Sequence, residues 1–271
     1  MFNQDFVETF KDQGFVVIPK LFSQEEVDGI KTHFMALNAS GKGGYEGDRI
    51  SDHSDPLAHY PRMVHPHRWD QFSLDWLLDE RFRHWTTLLL EREPYAAQTM
   101  FYFKPPGSRG QALHQDQRSL EVHPGTCLAA WMAIDSCDKE NGCLEIVPYT
   151  QNLPKLCPVG ADTTESFTDE TVPLGREMVP EAVPMQAGDV LFFNGQVIHG
   201  SGPNRSGRFR RSLIAHYVVG EAKKVAGFYH PLLTFEGQEV KLGTSAQGGP
   251  CGVWVEKQGQ QELELQMQET N

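Results

Sequence analysis

The chain has 271 residues, of which 39% are hydrophobic and 22% are charged, and its formal net charge is −12. This composition is typical of a globular protein with a large buried core, not of a disordered chain. A surface with this much negative charge repels phosphate backbones, so nucleic acid is excluded as a partner. No apolar run approaches the roughly 20 residues that cross a membrane, so we expect no membrane association. The N-terminal residues do not have the pattern of a signal peptide, and we expect a cytoplasmic protein.

The first 94 residues predict a helical layer. Ser23-Gln24-Glu25-Glu26 is a capping box, with Ser23 as the N-cap and Glu26 three positions later. Apolar residues recur at helical spacing around Trp76 and Trp85, which predicts a helix that faces the core. In chain order the predicted elements are a helix over 7–11, a strand over 14–19, a helix from Ser23 to about Leu37 and a helix over 75–91.

From Tyr95 the pattern changes to short apolar runs separated by Gly and Pro, which indicates strands. Helices followed by many short strands predict a mainly β protein with helical additions, in which a helical layer packs on an antiparallel barrel. We expect one domain over 1–271, with the helical layer over about 1–94 and the barrel core over about 95–220. The main predicted strands cover 97–104, 127–134, 143–147, 190–193 and 211–219.

Three segments lack apolar periodicity. Residues 40–56 and the acidic residues 154–180 predict long loops, and either is a candidate lid over a binding site. The first loop contains glycines that would serve as hinges, namely Gly41, Gly43, Gly44 and Gly47. The C-terminal extension ends in a polar, Gln-rich tail over 256–271, which we expect to be frayed or disordered.

The five cysteines are odd in number and form no CxxC pair. Such a set favours reduced thiols over a disulfide framework or a zinc site. We therefore predict five free thiols, most of them small core residues: Cys127, Cys137, Cys143, Cys157 and Cys251.

A candidate metal site begins at His114 and Asp116, which are two positions apart. On a strand this spacing puts both side chains on one face. His199, arriving from another strand, would complete a 2-His-1-carboxylate set, which leaves coordination positions open as in non-heme Fe(II) oxygenases. Arg210 then offers a planar cationic fork suited to a carboxylate. The combination predicts iron together with a 2-oxo acid.

Each part of this pattern also has a simpler interpretation. The chain has 11 His and 36 Asp and Glu residues, so an isolated H-x-D pair can be a surface pair or a core histidine. A zinc site would need a third His or a Cys at ligand spacing, which the sequence does not supply. A second histidine-rich stretch has no carboxylate at matching spacing and is disfavoured as a metal site: His53, His59, His65 and His67.

These segments resemble the phytanoyl-CoA dioxygenase family of Fe(II)/2-oxoglutarate-dependent oxygenases. The similar segments occur in the family's order and cover about half of the chain: 98–107, 113–116, 130–135, 141–148, 188–194 and 199–204, followed by Arg210. One departure follows Pro148, where the family usually has Gly-Ser-His and this chain has Tyr149-Thr150-Gln151. It leaves the metal site intact but weakens any inference of substrate from other family members.

The resemblance implies a double-stranded β-helix, or jelly roll, of the cupin-like barrel type. It also implies that His114, Asp116 and His199 hold Fe(II), and that Arg210 and Ser201 bind the distal carboxylate of 2-oxoglutarate. Such dioxygenases use O2, release succinate and CO2, and hydroxylate a small molecule. The carboxylate of Asp116 favours hydroxylation, because related halogenases have a small residue at this position.

Further candidate contacts to the co-substrate are Met100 and Trp131, by resemblance, and Gln98, which alternates with Met100 along the strand. Arg62 lies in a stretch that family members place near the cofactor. Candidate substrate contacts are Arg109, Gln111, Arg118, Asn194, Tyr149 and Arg211. They favour a polar or anionic small molecule, while the substrate itself and the oligomeric state stay open.

Two other classes of function fit parts of the pattern. A cupin-like, metal-dependent isomerase or hydrolase would not use 2-oxoglutarate, and Arg210 and Ser201 would then have no special purpose. A non-catalytic ligand-binding barrel would not need a complete metal triad. The fold does not separate these possibilities, but the site does.

Overall fold

The computed structural model describes residues 3–45, 50 and 52–267. Its α-helices are α1 (Asn3–Gln13), α2 (Gln24–Ala39), α3 (Pro56–His59), α4 (Gln71–Leu77), α5 (Glu80–Leu90) and α6 (Gln117–Leu120). Short 3₁₀ turns cover Pro66–Arg68 and Gly227–Tyr229.

The first nine strands are β1 (Phe15–Ile18), β2 (Met63–Val64), β3 (Tyr95–Tyr102), β4 (Gln111–His114), β5 (Cys127–Ala133), β6 (Leu144–Val147), β7 (Val159–Gly160), β8 (Glu170–Thr171) and β9 (Glu181–Ala182). The later strands are β10 (Val190–Asn194), β11 (Ile198–Ser201), β12 (Ser212–Val218), β13 (Lys224–Ala226), β14 (Leu232–Leu233), β15 (Glu239–Val240), β16 (Gly243–Ser245), β17 (Pro250–Lys257) and β18 (Gln260–Met267).

The larger of two facing sheets has the strand order β1-β10-β5-β12-β3-β14-β15, with β2 paired to β3. The smaller sheet has the order β4-β11-β6-β9. Every pair within these two sheets is antiparallel. All residues of β5 and β12 are buried, as expected for central strands covered on both faces. The expected jelly roll is confirmed, although its two sheets do not close into a barrel.

The larger sheet separates two apolar layers. On one face the helices pack against it, and the ring of Phe34 in α2 stacks on Phe101 in β3 with centroids 4.1 Å apart. On the other face Trp131 and Phe193 pack toward Ile146 of the smaller sheet. Because side chains alternate along a strand, each central strand serves both layers. The candidate site lies between the two sheets.

The helices follow the predicted pattern with one correction. The capping box of α2 is confirmed, because Ser23 Oγ accepts from the Glu26 N–H and the Glu26 carboxylate accepts from the Ser23 N–H. The single helix predicted over 75–91 is wrong. The Asp79 carboxylate accepts from the Arg81 N–H at 2.8 Å and begins a new helix, so the segment divides into α4 and α5.

The predicted disordered tail is also wrong, since β17 and β18 pair over their full length in a hairpin. Gln258 and Gly259 make the turn with φ of 50° and 82°, as a two-residue type I′ turn requires. The indole N–H of Trp254 donates to Pro173 O at 3.1 Å and anchors the hairpin. The last part of the predicted tail, residues 268–271, lies outside the described residues.

The prediction of five reduced thiols is corrected for two of them, because Cys157 and Cys251 form a disulfide. They are 94 residues apart in sequence and meet where residues 156 and 252 form a β-bridge. Cysteine parity and local spacing do not reveal such a tertiary contact. The other three cysteines are free and buried, as predicted: Cys127, Cys137 and Cys143.

The two predicted loops differ in what the structure describes. Residues 154–180 are not structureless, because β7 pairs with β8 and Gly110 exchanges backbone hydrogen bonds with Glu165 and Phe167. In the segment 40–56, residues 46–49 and 51, including Gly47, lie outside the described residues.

None of the helices within the described ranges is long and apolar enough to span a membrane.

Candidate active site

Three side chains meet between β4, β11 and the start of α6. His114 ends β4 and is paired in register with His199 of β11. This pairing brings the centroids of the two imidazole rings within 4.2 Å of each other. Asp116 Oδ1 lies 3.6 Å from His114 Nε2 and 3.7 Å from His199 Nε2. One ligand atom from each residue lies within 4.8 Å of the others, which fits a single metal ion.

The expectation that His114 and Asp116 share one face of a strand is wrong. The strand ends at His114, and Asp116 has helical backbone angles of −61° and −33° at the N-cap of α6. The carboxylate reaches the histidines because the chain turns sharply after β4. The two residues meet as predicted, but through a strand-to-helix turn.

Gln115, the residue between the first histidine and the aspartate, fixes this turn. Its buried side-chain amide donates to Pro154 O at 3.2 Å and to Gln196 O at 2.9 Å. Its Oε1 accepts from the Leu156 N–H at 2.7 Å. Sequence reasoning missed this role, because all three partners lie far away in sequence.

Backbone carbonyls orient both imidazoles. His114 Nδ1–H donates to Ala112 O at 2.9 Å, and His199 Nδ1–H donates to Val197 O at 3.0 Å. Each Nε2 therefore carries a lone pair toward the space beside Asp116. This is the tautomer that a metal-ligating histidine needs.

A fourth residue, His216 of β12, supports the carboxylate from behind. Its Nε2 lies 3.0 Å from Asp116 Oδ2, and both residues are buried. Sequence reasoning missed it, yet a signal was available. Alternate positions from Arg210 through Ser212 and Ile214 lead to His216 on the same face of the strand.

The electrostatics of this cluster keep His114 and Asp116 in the protonation states that can bind a metal. Burial, together with the nearby His199, lowers the pKa of His114 to about 4. Burial alone would raise the pKa of Asp116, but the imidazoles of His199 and His216 hold it well below its usual range. The site therefore offers a neutral imidazole at His114 and an ionised carboxylate at neutral pH.

Arg210 lies on the same cavity, 3% exposed. Its Nε–H donates to Gly142 O at 3.0 Å, another N–H donates to Ser212 Oγ at 3.0 Å, and its guanidinium lies 5.2 Å from the centroid of Trp131. Burial lowers its pKa to about 10, so it stays charged at neutral pH. It forms no ion pair with a residue that the structure describes.

The neighbouring arginines have partners elsewhere. Arg208 forms an ion pair with Asp138 at 2.8 Å, and Arg211 forms one with Asp135 at 2.7 Å. Neither lines the cavity, whereas Arg210 does. Of the three, only Arg210 is placed to receive an anion there.

Lys104 is a second buried cation that sequence reasoning missed. Its Nζ donates to Ser201 Oγ at 2.8 Å, and it lines the cavity near Arg210. The alternation that places Gln98 and Met100 inward continues through Tyr102 to Lys104, so the signal was present.

The cavity measures about 560 Å³ and opens beside the metal-binding cluster. It is lined by most of the predicted contact residues: Gln98, Met100, Trp131, Ser201, Arg62, Arg109 and Gln111. Four predicted contacts do not line it, namely Arg118, Asn194, Tyr149 and Arg211, which pairs with Asp135 instead. Arg118 lies on a neighbouring cavity, Asn194 accepts from the Gln196 N–H, and Tyr149 is 60% exposed.

Residues 10–212 match the family model described as phytanoyl-CoA dioxygenase (PhyH). The peroxisomal phytanoyl-CoA dioxygenase of Rattus norvegicus is 31% identical over 140 residues, which are 48% of this chain and 41% of that protein. The phytanoyl-CoA dioxygenase of Arabidopsis thaliana is 28% identical over 163 residues, 59% of this chain and 57% of that protein. The chain spans about half the length of the curated relatives it matches.

Solved structures with the same fold include the epimerase SnoN in complex with Fe3+, alpha ketoglutarate and nogalamycin RO. It is similar with a TM-score of 0.68 at 19% identity, over 82% of this chain and 85% of that one. EctD from S. alaskensis with 2-oxoglutarate and 5-hydroxyectoine has a TM-score of 0.65 at 18% identity, over 81% of this chain and 76% of that one. The carbocyclase SnoK has a TM-score of 0.66 at 19% identity, over 81% of this chain and 85% of that one. At these identities the likeness shows the fold.

Proposed function

Because the chain belongs to the phytanoyl-CoA dioxygenase family, we propose that it is an Fe(II)/2-oxoglutarate-dependent oxygenase that hydroxylates a small molecule. The observation that carries the proposal is the convergence of His114, Asp116 and His199 in the cavity that also holds Arg210. None of the alternatives requires a buried guanidinium in the cavity of the metal-binding residues, whether a cupin-like isomerase, a hydrolase or a non-catalytic binding barrel.

The three ligand side chains fit Fe(II). Two imidazole nitrogens and one carboxylate oxygen from one side of a site leave further coordination positions for co-substrate and O2. When bound, the iron supplies O2 activation, driven by conversion of 2-oxoglutarate to succinate and CO2. The hydrogen bonds of His114 Nδ1, His199 Nδ1 and Asp116 Oδ2 hold the ligands in place before the metal arrives.

Arg210 would bind the distal carboxylate of 2-oxoglutarate. Its N–H groups beyond those that donate to Gly142 and Ser212 are available, and a carboxylate can accept from two of them at once. The Trp131 ring beneath the guanidinium limits its rotation. Met100 and Gln98 are further cavity residues that we propose contact the co-substrate.

The cavity favours an anionic or polar substrate. Four of its described lining residues are basic, namely Arg62, Lys104, Arg109 and Arg210, while Asp116 is the one acid among them. Local positive potential inside a chain of net charge −12 is suited to small anions. Hydroxylation is the outcome that an intact Asp116 carboxylate favours, although enzymes of this fold include an epimerase and a carbocyclase.

The decisive experiment is a screen for succinate formation across a panel of metabolites, with purified protein loaded with Fe(II). We expect succinate to form from 2-oxoglutarate, and to form faster with the correct substrate. The His199→Ala variant should bind no iron and form no succinate, yet keep the circular dichroism spectrum of the wild type. If the wild-type protein binds iron but neither binds nor consumes 2-oxoglutarate, the isomerase or hydrolase alternative is favoured instead.

A further inference from the structure

Lys104 and Arg210 form a pair of buried cations at one end of the cavity. Lys104 is 5% exposed and Arg210 is 3% exposed. Neither forms an ion pair with a residue in the described ranges. Burying a charge without a partner is strongly unfavourable, so a bound anion would stabilise the charged forms of both side chains.

The backbone holds the two cations together. The Arg210 N–H donates to Lys104 O at 3.1 Å, and Asn204 Nδ2 donates to the same carbonyl at 3.0 Å. Gly142 leaves room for the ammonium, since a Cβ at that position would lie 2.8 Å from Lys104 Nζ. The Gly142 carbonyl in turn accepts from Arg210. The backbone therefore holds the two residues next to each other, and side-chain hydrogen bonds to Ser201, Gly142 and Ser212 hold their charged groups.

The hydrogen bonds leave donors free at this end of the cavity. Ser201 Oγ accepts from Lys104 Nζ at 2.8 Å and from the Gln111 N–H at 3.4 Å. Both of its lone pairs are then used, and its own O–H is left to donate. The ammonium of Lys104 has donors beyond the one directed at Ser201.

We propose that Lys104 is a second cationic ligand for the distal carboxylate of the 2-oxo acid co-substrate, and acts together with Arg210 and Ser201. This inference rests on the proposed function, because it assigns a residue to the co-substrate of that reaction. The two cations restrict the co-substrate to 2-oxo acids that carry a second carboxylate. Burial and the charge of Arg210 lower the pKa of Lys104, an unfavourable effect that a bound carboxylate relieves.

Calorimetric titration under anaerobic conditions tests the inference without turnover. Fe(II)-loaded wild-type protein and the Lys104→Met variant are each titrated with 2-oxoglutarate and with 2-oxobutanoate, which lacks the distal carboxylate. Loss of one charge-assisted contact should weaken 2-oxoglutarate binding by about 10- to 100-fold. The affinity for 2-oxobutanoate should be unchanged, so the selectivity between the two acids falls.

Lys104 could instead serve only to join the end of β3 to β11 through Ser201. In that case Lys104→Met would weaken both acids alike, or neither, and either result would overturn the inference. If Lys104→Met does not fold, Lys104→Gln keeps a donor for Ser201 but lacks the charge, and the same loss of selectivity is expected. Wild-type protein that binds iron but not 2-oxoglutarate would refute the proposed function itself, which separates the two failures.

Discussion

His216 donates from Nε2 to Oδ2 of Asp116 at 3.0 Å. Because the ionised carboxylate can only accept, the proton in this hydrogen bond lies on the imidazole. Oδ2 is thereby occupied, and Oδ1 is the oxygen that lies near the Nε2 atoms of His114 and His199. In the proposed metal site Asp116 would therefore bind through one oxygen, and its orientation is set by a residue from the opposite sheet.

Replacement of His216 by Phe should therefore weaken metal binding. Loss of a side chain that hydrogen-bonds to a metal ligand typically lowers metal affinity about 10- to 100-fold. The measurement is a titration with Co(II), followed by absorbance, on the wild type and the variant. His67→Phe is the matched control, since His67 is also buried but bonds to Thr99 away from the ligands. Equal Co(II) affinities in all three proteins would show that His216 does not orient Asp116.

Arg210→Lys should raise the KM for 2-oxoglutarate strongly, with a smaller change in kcat. Lysine keeps the charge but loses the planar fork that binds a carboxylate through two N–H groups. Arg208→Lys is the control, because Arg208 is half-exposed and pairs with Asp138 and Glu140. A KM that is unchanged in Arg210→Lys, or raised equally in both variants, would contradict the assignment of the co-substrate site.

The sequence predicts the ligand set and the β-rich fold, but not the geometry that joins them. His114 and Asp116 meet through a turn held by Gln115, whose partners are set by tertiary packing. His216 and Lys104 could have been found by strand alternation from Arg210 and Met100. Both residues lie within the strands predicted over 97–104 and 211–219, but neither was assigned a role in the site.

The C-terminal segment shows why polar strands are hard to predict. β18 carries Glu and Gln at many positions, so it lacks the apolar alternation of a half-buried strand. Its local signal is the Gln258-Gly259 turn, which suits a tight hairpin. The Cys157–Cys251 disulfide has no local signal, because its partners are 94 residues apart.

Folding stability should fall as the pH drops below about 6.5, because two histidines are buried in neutral form. Burial, with the nearby Arg68, lowers the pKa of His65 to about 3 and that of His67 to about 4. The unfolded chain binds protons near pH 6.5 while the folded chain does not, so acid favours unfolding. The effect is absent above pH 6.5. Below it, each histidine lowers the unfolding free energy by about 1.4 kcal/mol for each pH unit, down to about pH 3 for His65 and about pH 4 for His67.

Urea unfolding between pH 7.5 and pH 5.5 measures this dependence, in a range where most carboxylates stay ionised. His65→Phe should flatten the curve, since neither ring nitrogen of His65 has a hydrogen-bond partner among the described residues. His123→Gln, at an exposed position paired with Glu121, is the control. A slope that is the same in wild type and His65→Phe would mean that His65 becomes protonated within the fold.

The Cys157–Cys251 disulfide should be detectable by counting thiols. Unfolded protein without reductant should expose three reactive thiols, and five after reduction. The double variant Cys157→Ser, Cys251→Ser should lose about 2–4 kcal/mol of unfolding free energy, because a long loop is no longer closed in the unfolded chain. Five thiols before reduction, and a double variant as stable as the oxidised wild type, would restore the original expectation of free cysteines.

Arg109 links the two segments that are candidate lids. Its guanidinium donates to Asp55 Oδ2 at 2.7 Å and to the carbonyls of Thr163 and Ser166 at 3.1 and 3.2 Å. Asp55 also caps α3, whose Leu57 lines the cavity. Residues 52–60 and 162–168 therefore share one anchor at the cavity, and we propose that these two stretches close together when co-substrate and substrate bind.

Hydrogen exchange tests this closure. In the wild type, residues 52–60 and 162–168 should gain protection together when Fe(II), 2-oxoglutarate and substrate bind, because reactive chemistry requires that water be kept out. Arg109→Met should raise exchange in both segments and abolish the gain. The control is Arg205→Met, which removes an exposed ion pair with Glu165 on the same loop and should leave the gain intact. If the wild type gains no protection in either segment, both are surface loops and the rigid walls between the sheets must select the substrate.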